Sequence, residues 1–403
     1  MQLIRKLHTS SALLRDAYIL SAVRTPIGAF GGSLASVSAA DLGAKVAAEA
    51  VKRANIKNED VEEVLFGQVL QAGVGQAPAR QVTIKAGFPV STEATTINKV
   101  CASGLKTVAL AAASIKLGDR DIIVAGGTES MSQSPMYLPR NVGFGGAKVT
   151  DAIVHDGLTD AFDKIHMGLC CENTNKREGI TREDQDNFAI ESYKRAQAAQ
   201  EKGEFDAEIL PIEVKTRKGV VEVKTDESVS AVKLDKIPTL RPAFDKNGTV
   251  TAANASSLND GAAALVVASG DKAKELGANV LAKVIAYADA ATDPIDFTIA
   301  PTLAIPKLLA KANLKKEDIA KWEVNEAFAG VSIANNRIMG LDPAKVNPRG
   351  GAVALGHPIG GSGARILTTL LHELKDGEYG VAAICNGGGA ATSLLVQKVT
   401  SVE

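Results

Sequence analysis

Short apolar segments alternate along the chain with longer segments of helical composition. Residues 64–70 and 121–125 have the length and the β-branched content of buried strands, and residues 103–117 between them are rich in Ala and Leu, as helices are. A further strand-like segment, residues 17–22, begins the pattern. Strands that alternate with helices in this way predict an α/β protein whose sheet is covered by helices.

One block of sequence occurs twice. Residues 54–61 (ANIKNEDV) recur as residues 312–319 (ANLKKEDI), 258 positions later (from 54 to 312), and five of the eight positions are identical. A second match, 259 positions apart, pairs a helix beginning at Ser103-Gly104 with one beginning at Ser362-Gly363. Two matches at nearly the same spacing predict two copies of one α/β half.

Residues 131–245 lose this pattern and become polar, with a helix-like segment at 182–202. We expect them to form an inserted loop domain, although for the charged stretch 213–236 alone a solvated surface is the favoured interpretation. The N-terminal half then comprises residues 17–130, completed by about 246–283, and the C-terminal half comprises residues 284–403.

Composition excludes several classes of function. The 403 residues exceed what one hydrophobic core fills, and 45 basic against 46 acidic residues provide no field to hold nucleic acid or an anionic membrane. The longest apolar runs are much shorter than the roughly 20 residues that cross a bilayer. Four cysteines without a C-x-x-C pair are too few for a disulfide framework and favour a reducing compartment.

The N-terminus is basic. Residues 1–15 carry three Lys or Arg residues and His8, and the first acidic residue is Asp16. This composition is typical of a mitochondrial presequence over residues 1–16, which predicts a location in the mitochondrial matrix. An ordinary N-terminus, and with it a cytosolic protein, is the alternative.

Two cysteines have sequence surroundings that suit catalysis. Cys101 directly precedes a predicted helix, whose dipole lowers the pKa of a nearby thiol and favours a nucleophilic thiolate. Cys385 ends an apolar run and precedes Asn-Gly-Gly-Gly, whose backbone N–H groups can face a ligand oxygen. Taken singly, an inert buried cysteine and an ordinary glycine loop explain these patterns as well.

His357 lies in a glycine-rich loop (GHPIGGSG), where an imidazole suits proton transfer. Asn325 follows the strand-like residues 322–324 and can present an amide that orients water. A surface histidine and a turn are the alternatives for these two residues.

Together these segments resemble the thiolase family from about residue 17 to the C-terminus. The segments that carry the resemblance are residues 98–104 (NKVCASG), 254–262 (NASSLNDGA), 325–328 (NEAF), 356–360 (GHPIG) and 385–389 (CNGGG). The resemblance implies a five-layered α/β/α/β/α fold of two duplicated βαβαβαββ halves, with an inserted loop domain that covers coenzyme A.

The resemblance also implies a reversible reaction between acyl-coenzyme A molecules. Cys101 accepts the acyl group with the help of His357, and Cys385 exchanges a proton with the methyl group of acetyl-coenzyme A. His357 and a water on Asn325 hold the enolate oxygen. The N–H groups of Cys101 and Gly387 hold the oxygen of the tetrahedral intermediate.

Residues 162–168 (FDKIHMG) resemble the short-chain members of the family, which favours acetoacetyl-coenzyme A as the substrate. Residues 293–297 (DPIDF) resemble the mitochondrial branch, which also uses 2-methyl-branched substrates in ketone-body and isoleucine metabolism. The implied contacts with coenzyme A are His166, Met167, Ser256, Phe297 and, for the nucleotide, Lys236. The arginine that the family often has shortly before Lys236 is missing here, which puts the nucleotide contacts in doubt.

That branch binds potassium and forms homotetramers, and no redox cofactor is implied. The matching potassium ligands are Tyr193, the carbonyl groups of Ala252, Ala253 and Ala255, and Val353; plain packing is the alternative for each. Three other functions are alternatives. A thiolase of broader chain length remains open, whereas a decarboxylating ketoacyl synthase would have a histidine at Cys385, and a non-catalytic lipid carrier would have lost a catalytic residue.

Overall fold

A ten-stranded mixed sheet runs through the protein in the computed structural model, which describes residues 15–402. The strands of the described residues are β1 (Ala17–Arg24), β2 (Gly28–Ala29), β3 (Glu63–Gly67), β4 (Glu93–Ile97), β5 (Ile122–Ser130), β6 (Met136–Tyr137), β7 (Thr150–Asp151), β8 (Ile212–Thr216), β9 (Gly219–Val223), β10 (Asn259–Ser269), β11 (Ala282–Ala291), β12 (Ile319–Val324), β13 (Tyr379–Asn386) and β14 (Ala390–Lys398). The helices are α1 (Ala39–Arg53), α2 (Pro78–Lys85), α3 (Ser103–Leu117), α4 (Met167–Arg177), α5 (Arg182–Glu201), α6 (Gly270–Leu276), α7 (Pro301–Ala312), α8 (Ala329–Met339), α9 (Ala352–Leu355) and α10 (Ile359–Glu373).

The sheet consists of two halves that meet at β1 and β11, where only three residue pairs join them. Outward from this contact the strand order is β1-β10-β5-β3-β4 on one side and β11-β14-β13-β12 on the other. In each half the first strand (β1 or β11) lies beside the last strand (β10 or β14). The strand before the last (β5 or β13) comes next, and then the second main strand (β3 or β12). The predicted duplication is therefore present in the topology.

The repeated sequence block has the same backbone conformation in both halves. Asn55 and Asn313 both have left-handed φ angles, of 58° and 53°. A capping box follows in each copy, with Asp60 bonded to the N–H of Lys57 in the first and Asp318 bonded to that of Lys315 in the second. Each copy then leads into the second main strand of its half, β3 or β12.

The halves stack as five layers because each half-sheet is buried on both faces. Helices α3 and α10 lie together between the half-sheets, while α1 covers the outer face of one half and α7 that of the other. The side chains alternate accordingly: Leu265 and Leu394 point into the middle layer, whereas Val266 and Leu395 belong to the outer cores. This arrangement confirms the predicted α/β/α/β/α fold.

Glycines let α3 and α10 approach closely. A Cβ on Gly104 would lie 2.8 Å from the backbone nitrogen of Ala364, and one on Gly363 would lie 2.3 Å from that of Leu105. The repeated Ser-Gly pairs therefore occur where the two central helices touch. The helix beginning at Ser103 is also part of Val100–Leu117, the one described segment with the length and composition of a membrane span. Its position between the half-sheets makes it a core helix.

Strand β3 ends at Gly67, three residues before the end that the sequence predicts. The reason is that the N–H groups of Val69 and Leu70 donate to the side chain of Glu129 instead of a neighbouring strand. Helix α3 matches its predicted bounds, and α5 ends one residue early. Of the predicted presequence, residues 1–14 lie outside the described residues. Arg15 is held in the fold by an ion pair with Asp121 at 2.7 Å.

Candidate active site

A cavity of about 410 Å³ lies where the two halves meet the inserted segment. Both halves and the insert contribute to its wall, with Cys101, His357 and Gly387 from the halves and His166, Met167 and Phe244 from the insert. Most of the lining is apolar, so the few polar atoms that face the cavity are poorly solvated and act strongly on a bound group.

Cys101 lies in a tight turn between β4 and α3. Val100, directly before it, has a φ of 47°, which is strained for a β-branched residue and occurs mainly where function requires it. The Ser103 hydroxyl holds the turn, accepting the N–H of Lys99 at 2.8 Å and donating to the Val100 carbonyl at 2.6 Å. The strain presents the Cys101 side chain to the cavity.

Burial raises the pKa of the Cys101 thiol to about 12, so the reactive thiolate expected at the start of a helix is not the resting form of this side chain. Desolvation of the thiolate outweighs the groups that favour it. The backbone N–H groups of Gly387 and of Cys101 itself donate toward the sulfur and lower the pKa by a smaller amount. The structure thus places the Gly387 N–H against the Cys101 side chain, although 286 residues separate them in sequence (from 101 to 387).

The imidazole of His357 is buried, and its hydrogen bonds define its tautomer. The Ser362 hydroxyl donates to the Pro358 carbonyl at 2.9 Å, so it accepts from Nδ1 of His357, 2.6 Å away. Nε2 is then the unprotonated nitrogen, and it has no hydrogen-bond partner among residues 15–402. Burial, with a contribution from Arg365, lowers the pKa of His357 to about 3, so the ring is neutral before any reaction.

Asn325 and Cys385 lie at the ends of the adjacent strands β12 and β13. Asn325 is buried, and neither atom of its side-chain amide has a partner in the described part of the chain. Unpaired buried amides are rare in folded proteins and indicate a group that serves a ligand or water. Cys385 is buried in an apolar cluster with Met167, Phe297 and Phe328, and neither Cys385 nor Asn325 lines the cavity. Burial, and then the Cys101 thiol, raise its pKa well above the ordinary value, so the two sulfurs are close enough to interact.

Four of the five residues predicted to contact coenzyme A line the cavity: His166, Met167, Ser256 and Phe297. His166 accepts the N–H of Gly168 at 3.0 Å and begins helix α4, and its ring stacks on Phe244 at 4.5 Å. Lys236 is separate from them, because it lies at the surface beside Asp235 and does not line the cavity.

The predicted potassium ligands fall into two neighbouring groups. Tyr193, Ala253 and Val353 pack in one cluster, while Ala252 and Ala255 line the cavity. Burial, followed by the charge of Glu326, raises the pKa of Tyr193 to about 12, so its phenol offers a neutral oxygen. Residues 15–402 contain no group of three or more His, Cys, Asp or Glu side chains suited to a metal ion. Phenol and carbonyl oxygens are ligands that suit a hard cation.

Sequence reasoning missed several residues of the wall, above all Phe244, Met131 and Leu158. Phe244 lies in an irregular segment with no motif or periodicity around it. Its place beside His166 depends on the packing of two loops 78 residues apart (from 166 to 244). No sequence signal that we know of would have identified it.

Comparison with known proteins identifies the same family over nearly the whole chain. The thiolase N-terminal domain family model matches residues 17–271, and the thiolase C-terminal domain model matches residues 278–398. The acetyl-CoA acetyltransferase of Yarrowia lipolytica is 63% identical over 390 residues, which cover 97% of this chain and 98% of that protein. The mitochondrial acetyl-CoA acetyltransferase of Homo sapiens is 53% identical over 400 residues, covering 98% and 93%.

A solved structure supports the fold. The crystal structure of the Acat5 thiolase from Ascaris suum in complex with coenzyme A is similar to this chain with a TM-score of 0.93 and 49% sequence identity. The match covers 96% of this chain and 100% of that one.

Proposed function

The chain belongs to the thiolase family, and from this premise we propose that its cavity catalyses acetyl transfer between coenzyme A thioesters. The enzyme cleaves acetoacetyl-CoA with coenzyme A and, in reverse, condenses two molecules of acetyl-CoA. The observation that carries this function is the geometry at Cys101: the Gly387 N–H lies against its sulfur, and His357, whose Nε2 has no partner among residues 15–402, lines the same cavity. The names of the close relatives favour this activity over that of a thiolase with broader chain length.

The first step is acyl transfer to Cys101. Cys101 and His357 are both neutral before the reaction, and the unprotonated Nε2 of His357 accepts the thiol proton as the sulfur attacks the acyl carbon. The sulfur bonds to the acyl carbon, and the carbonyl oxygen becomes negatively charged and accepts the N–H groups of Cys101 and Gly387. When the oxyanion collapses, the bond from the acyl carbon to the leaving group breaks. Each N–H donor of this kind typically contributes about 10²–10³ in rate.

The second step is proton exchange at Cys385. In cleavage the leaving group is the enolate of acetyl-CoA, and the Cys385 thiol protonates its carbon. The raised pKa of Cys385 supports this role, because the sulfur carries a proton before the reaction begins. In condensation the coenzyme A that leaves when Cys101 is acetylated takes the Cys385 proton, and the resulting Cys385 thiolate removes a methyl proton from the second acetyl-CoA. His357 and a water held by Asn325 stabilise the enolate oxygen. The enolate carbon bonds to the acetyl carbon on Cys101, and the C–S bond to Cys101 breaks as His357 returns the proton to the sulfur.

Coenzyme A lies across the inserted segment, residues 131–245, in this proposal. His166, Met167 and Ser256 contact the pantetheine arm, since they line the cavity. The exposed position of Lys236 outside the cavity supports a contact with the nucleotide, which extends beyond the pantetheine arm. Lys236→Ala is expected to raise the KM for coenzyme A and to leave kcat unchanged.

We propose that Phe297 affects which substrates are cleaved and that potassium affects the rate of cleavage. Phe297 is buried at the cavity, which supports the use of 2-methylacetoacetyl-CoA together with acetoacetyl-CoA. The oxygens of Tyr193 and of residues 252, 253, 255 and 353 suit potassium, which would order this wall of the cavity. Comparing cleavage of the two substrates in potassium and in sodium buffers tests both points. Failure to cleave the branched substrate would contradict the first, and equal rates in both buffers would contradict the second.

A homotetramer in the mitochondrial matrix is the form in which we propose that the enzyme works. Relatives named as mitochondrial support the mitochondrial location. Two features support self-association: β4 is a partly exposed strand at the sheet edge, and the β6–β7 hairpin exposes Leu138, Val142 and Phe144. Light scattering after gel filtration measures the assembly, and a monomeric mass would contradict it.

Mass spectrometry of the protein after addition of acetyl-CoA tests the proposed function. We expect an acetyl group on Cys101 and none in Cys101→Ser, because an alcohol is a much weaker nucleophile here. Cys170→Ser is the matched control, since Cys170 is buried in α4 and does not line the cavity. An acetyl group on another residue in the Cys101→Ser protein would refute the assignment.

A further inference from the structure

A buried carboxylate joins the two halves of the chain beside Cys101. Glu129 lies near the end of β5 and is completely buried. Its Oε1 accepts the N–H of Leu70 at 3.1 Å, and its Oε2 accepts those of Val69 at 3.1 Å and Gly360 at 2.9 Å. The first two donors follow β3 in the N-terminal half, whereas the third lies in the first turn of α10 in the C-terminal half. One side chain therefore binds both halves at the edge of the cavity.

The backbone around this contact is packed without spare room. A Cβ on Gly360 would lie 2.7 Å from Oε2 of Glu129 and 2.8 Å from the Thr128 carbonyl oxygen. A Cβ on Gly127 would lie 2.1 Å from the Gly360 carbonyl oxygen. The start of α10 is thus pressed onto β5, and Gly360 is only three residues after His357. The position of the imidazole follows the position of this turn.

Stability alone does not explain the carboxylate. All three hydrogen bonds that its oxygens accept from the described residues come from backbone N–H groups, and none comes from a Lys or Arg side chain. Burial, with a contribution from the Asp260 carboxylate, raises the pKa of Glu129 to about 7. A buried carboxylate without a cation is costly, and an apolar side chain is often more stable at such a place. The Glu129 carboxylate is explained if the function of the protein requires these three N–H groups to be held together.

We propose that Glu129 is a positioning residue that holds His357 at its working distance from Cys101 by fixing the first turn of α10 against the end of β3. This proposal rests on the proposed acetyl transfer and adds a residue that contacts no substrate, since Glu129 does not line the cavity. Its effect passes through Gly360 to His357. Loss of the contact displaces the base relative to the thiol, and a displacement of about 1 Å at reacting groups costs up to roughly 10²-fold in rate.

Glu129→Gln tests the proposal. Glutamine has one oxygen and one NH2 group, and the NH2 group would face a backbone N–H, so at least one of the three hydrogen bonds is lost. We expect kcat for cleavage to fall by about 10–100-fold when it is divided by the fraction of protein whose Cys101 can be alkylated. KM should stay within about twofold of wild type. Acetylation of Cys101 by acetyl-CoA should slow by the same factor as kcat.

Glu62→Gln is the matched control. The Glu62 carboxylate also accepts two backbone N–H groups, those of Asp121 and Ile122, but at the opposite end of β5. Nine residues of strand separate that end from the cavity, a distance of about 30 Å. We expect wild-type kcat and KM in this variant. Wild-type kcat per alkylatable Cys101 in Glu129→Gln would overturn the proposal.

Glu129→Asp serves if the glutamine variant fails to fold. Aspartate keeps the charge but is one methylene shorter and cannot reach all three donors, so the same loss of kcat is expected. A folded Asp variant with wild-type kcat would also overturn the proposal. The wild-type protein separates the proposed function from the proposed role of Glu129. Absence of acetyl-Cys101 in wild type refutes the proposed function. Normal acetylation in wild type, together with wild-type kcat in the Glu129 variants, refutes only the role of Glu129.

Discussion

Two buried asparagines at the end of strand β12 should respond in opposite ways to the same substitution. Asn325 makes no side-chain hydrogen bond to the described residues. Asn347 is fully bonded: its Nδ2 donates to the Val324 carbonyl at 2.8 Å and to Glu326 at 2.9 Å, and its Oδ1 accepts the Val324 N–H at 2.9 Å. The Asn325 amide is therefore available to a ligand, whereas the Asn347 amide holds strand β12 in place.

The magnitudes follow from these contacts. Asn347→Ala loses three hydrogen bonds at about 1 kcal/mol each. It also places alanine at a φ of 44°, which adds about 1 kcal/mol, so the free energy of unfolding should fall by about 3–4 kcal/mol. Asn325→Ala breaks no bond within the described residues, and its free energy of unfolding should stay within about 1 kcal/mol of wild type. Its kcat should nevertheless fall by about 10²–10³-fold, because the enolate oxygen loses its positioned water.

Urea unfolding followed by circular dichroism measures the stability of both variants, and the cleavage rate at saturating acetoacetyl-CoA measures kcat. The Asn347→Ala protein that remains folded should keep more activity per active site than Asn325→Ala. Two results would refute the reasoning. One is a loss of several kcal/mol of stability in Asn325→Ala, which would mean that its amide is anchored. The other is a kcat of Asn325→Ala within tenfold of wild type, which would show that Asn325 does not take part in the reaction.

Three further predictions concern the thiols and the buried acid. Cys385→Ala should still form acetyl-Cys101 with acetyl-CoA, as seen by mass spectrometry, but should not condense two acetyl-CoA molecules; condensation at the wild-type rate would exclude Cys385 as the base. Alkylation of Cys101 by iodoacetamide should accelerate up to at least about pH 10 without a plateau, since its pKa is near 12, and a plateau near pH 8 would contradict the burial argument. Glu129 has a folded pKa near 7, raised from 4.5, so its contribution to stability is fully present below about pH 4.5 and is lost as pH rises through 7. By this linkage wild type should lose up to about 3 kcal/mol relative to Glu129→Gln between pH 5 and pH 8, as measured by urea unfolding, and a constant difference would refute it.

The sequence was sufficient for those features that depend on neighbours a few residues apart. The duplication was visible because its repeated block forms an asparagine turn and a capping box, both of which are local interactions that repeat with the residues. Helix α3 was predicted to its exact ends because Gly118 stops it with a left-handed φ of 85°. The segments around Cys101, His357 and Cys385 can likewise be identified from the sequence, because each is a short run of characteristic residues.

Tertiary structure decided what depends on burial and on contacts between distant segments. The helix dipole acts on Cys101 from its own helix, whereas burial by other segments of the chain has the larger effect on the pKa of the thiol. Phe244 and Glu129 had no sequence signal, because one contacts a residue 78 positions away and the other binds Gly360 across 231 positions. Local interactions are encoded in the spacing of residues, while desolvation and long-range hydrogen bonds exist only after the two halves have packed together.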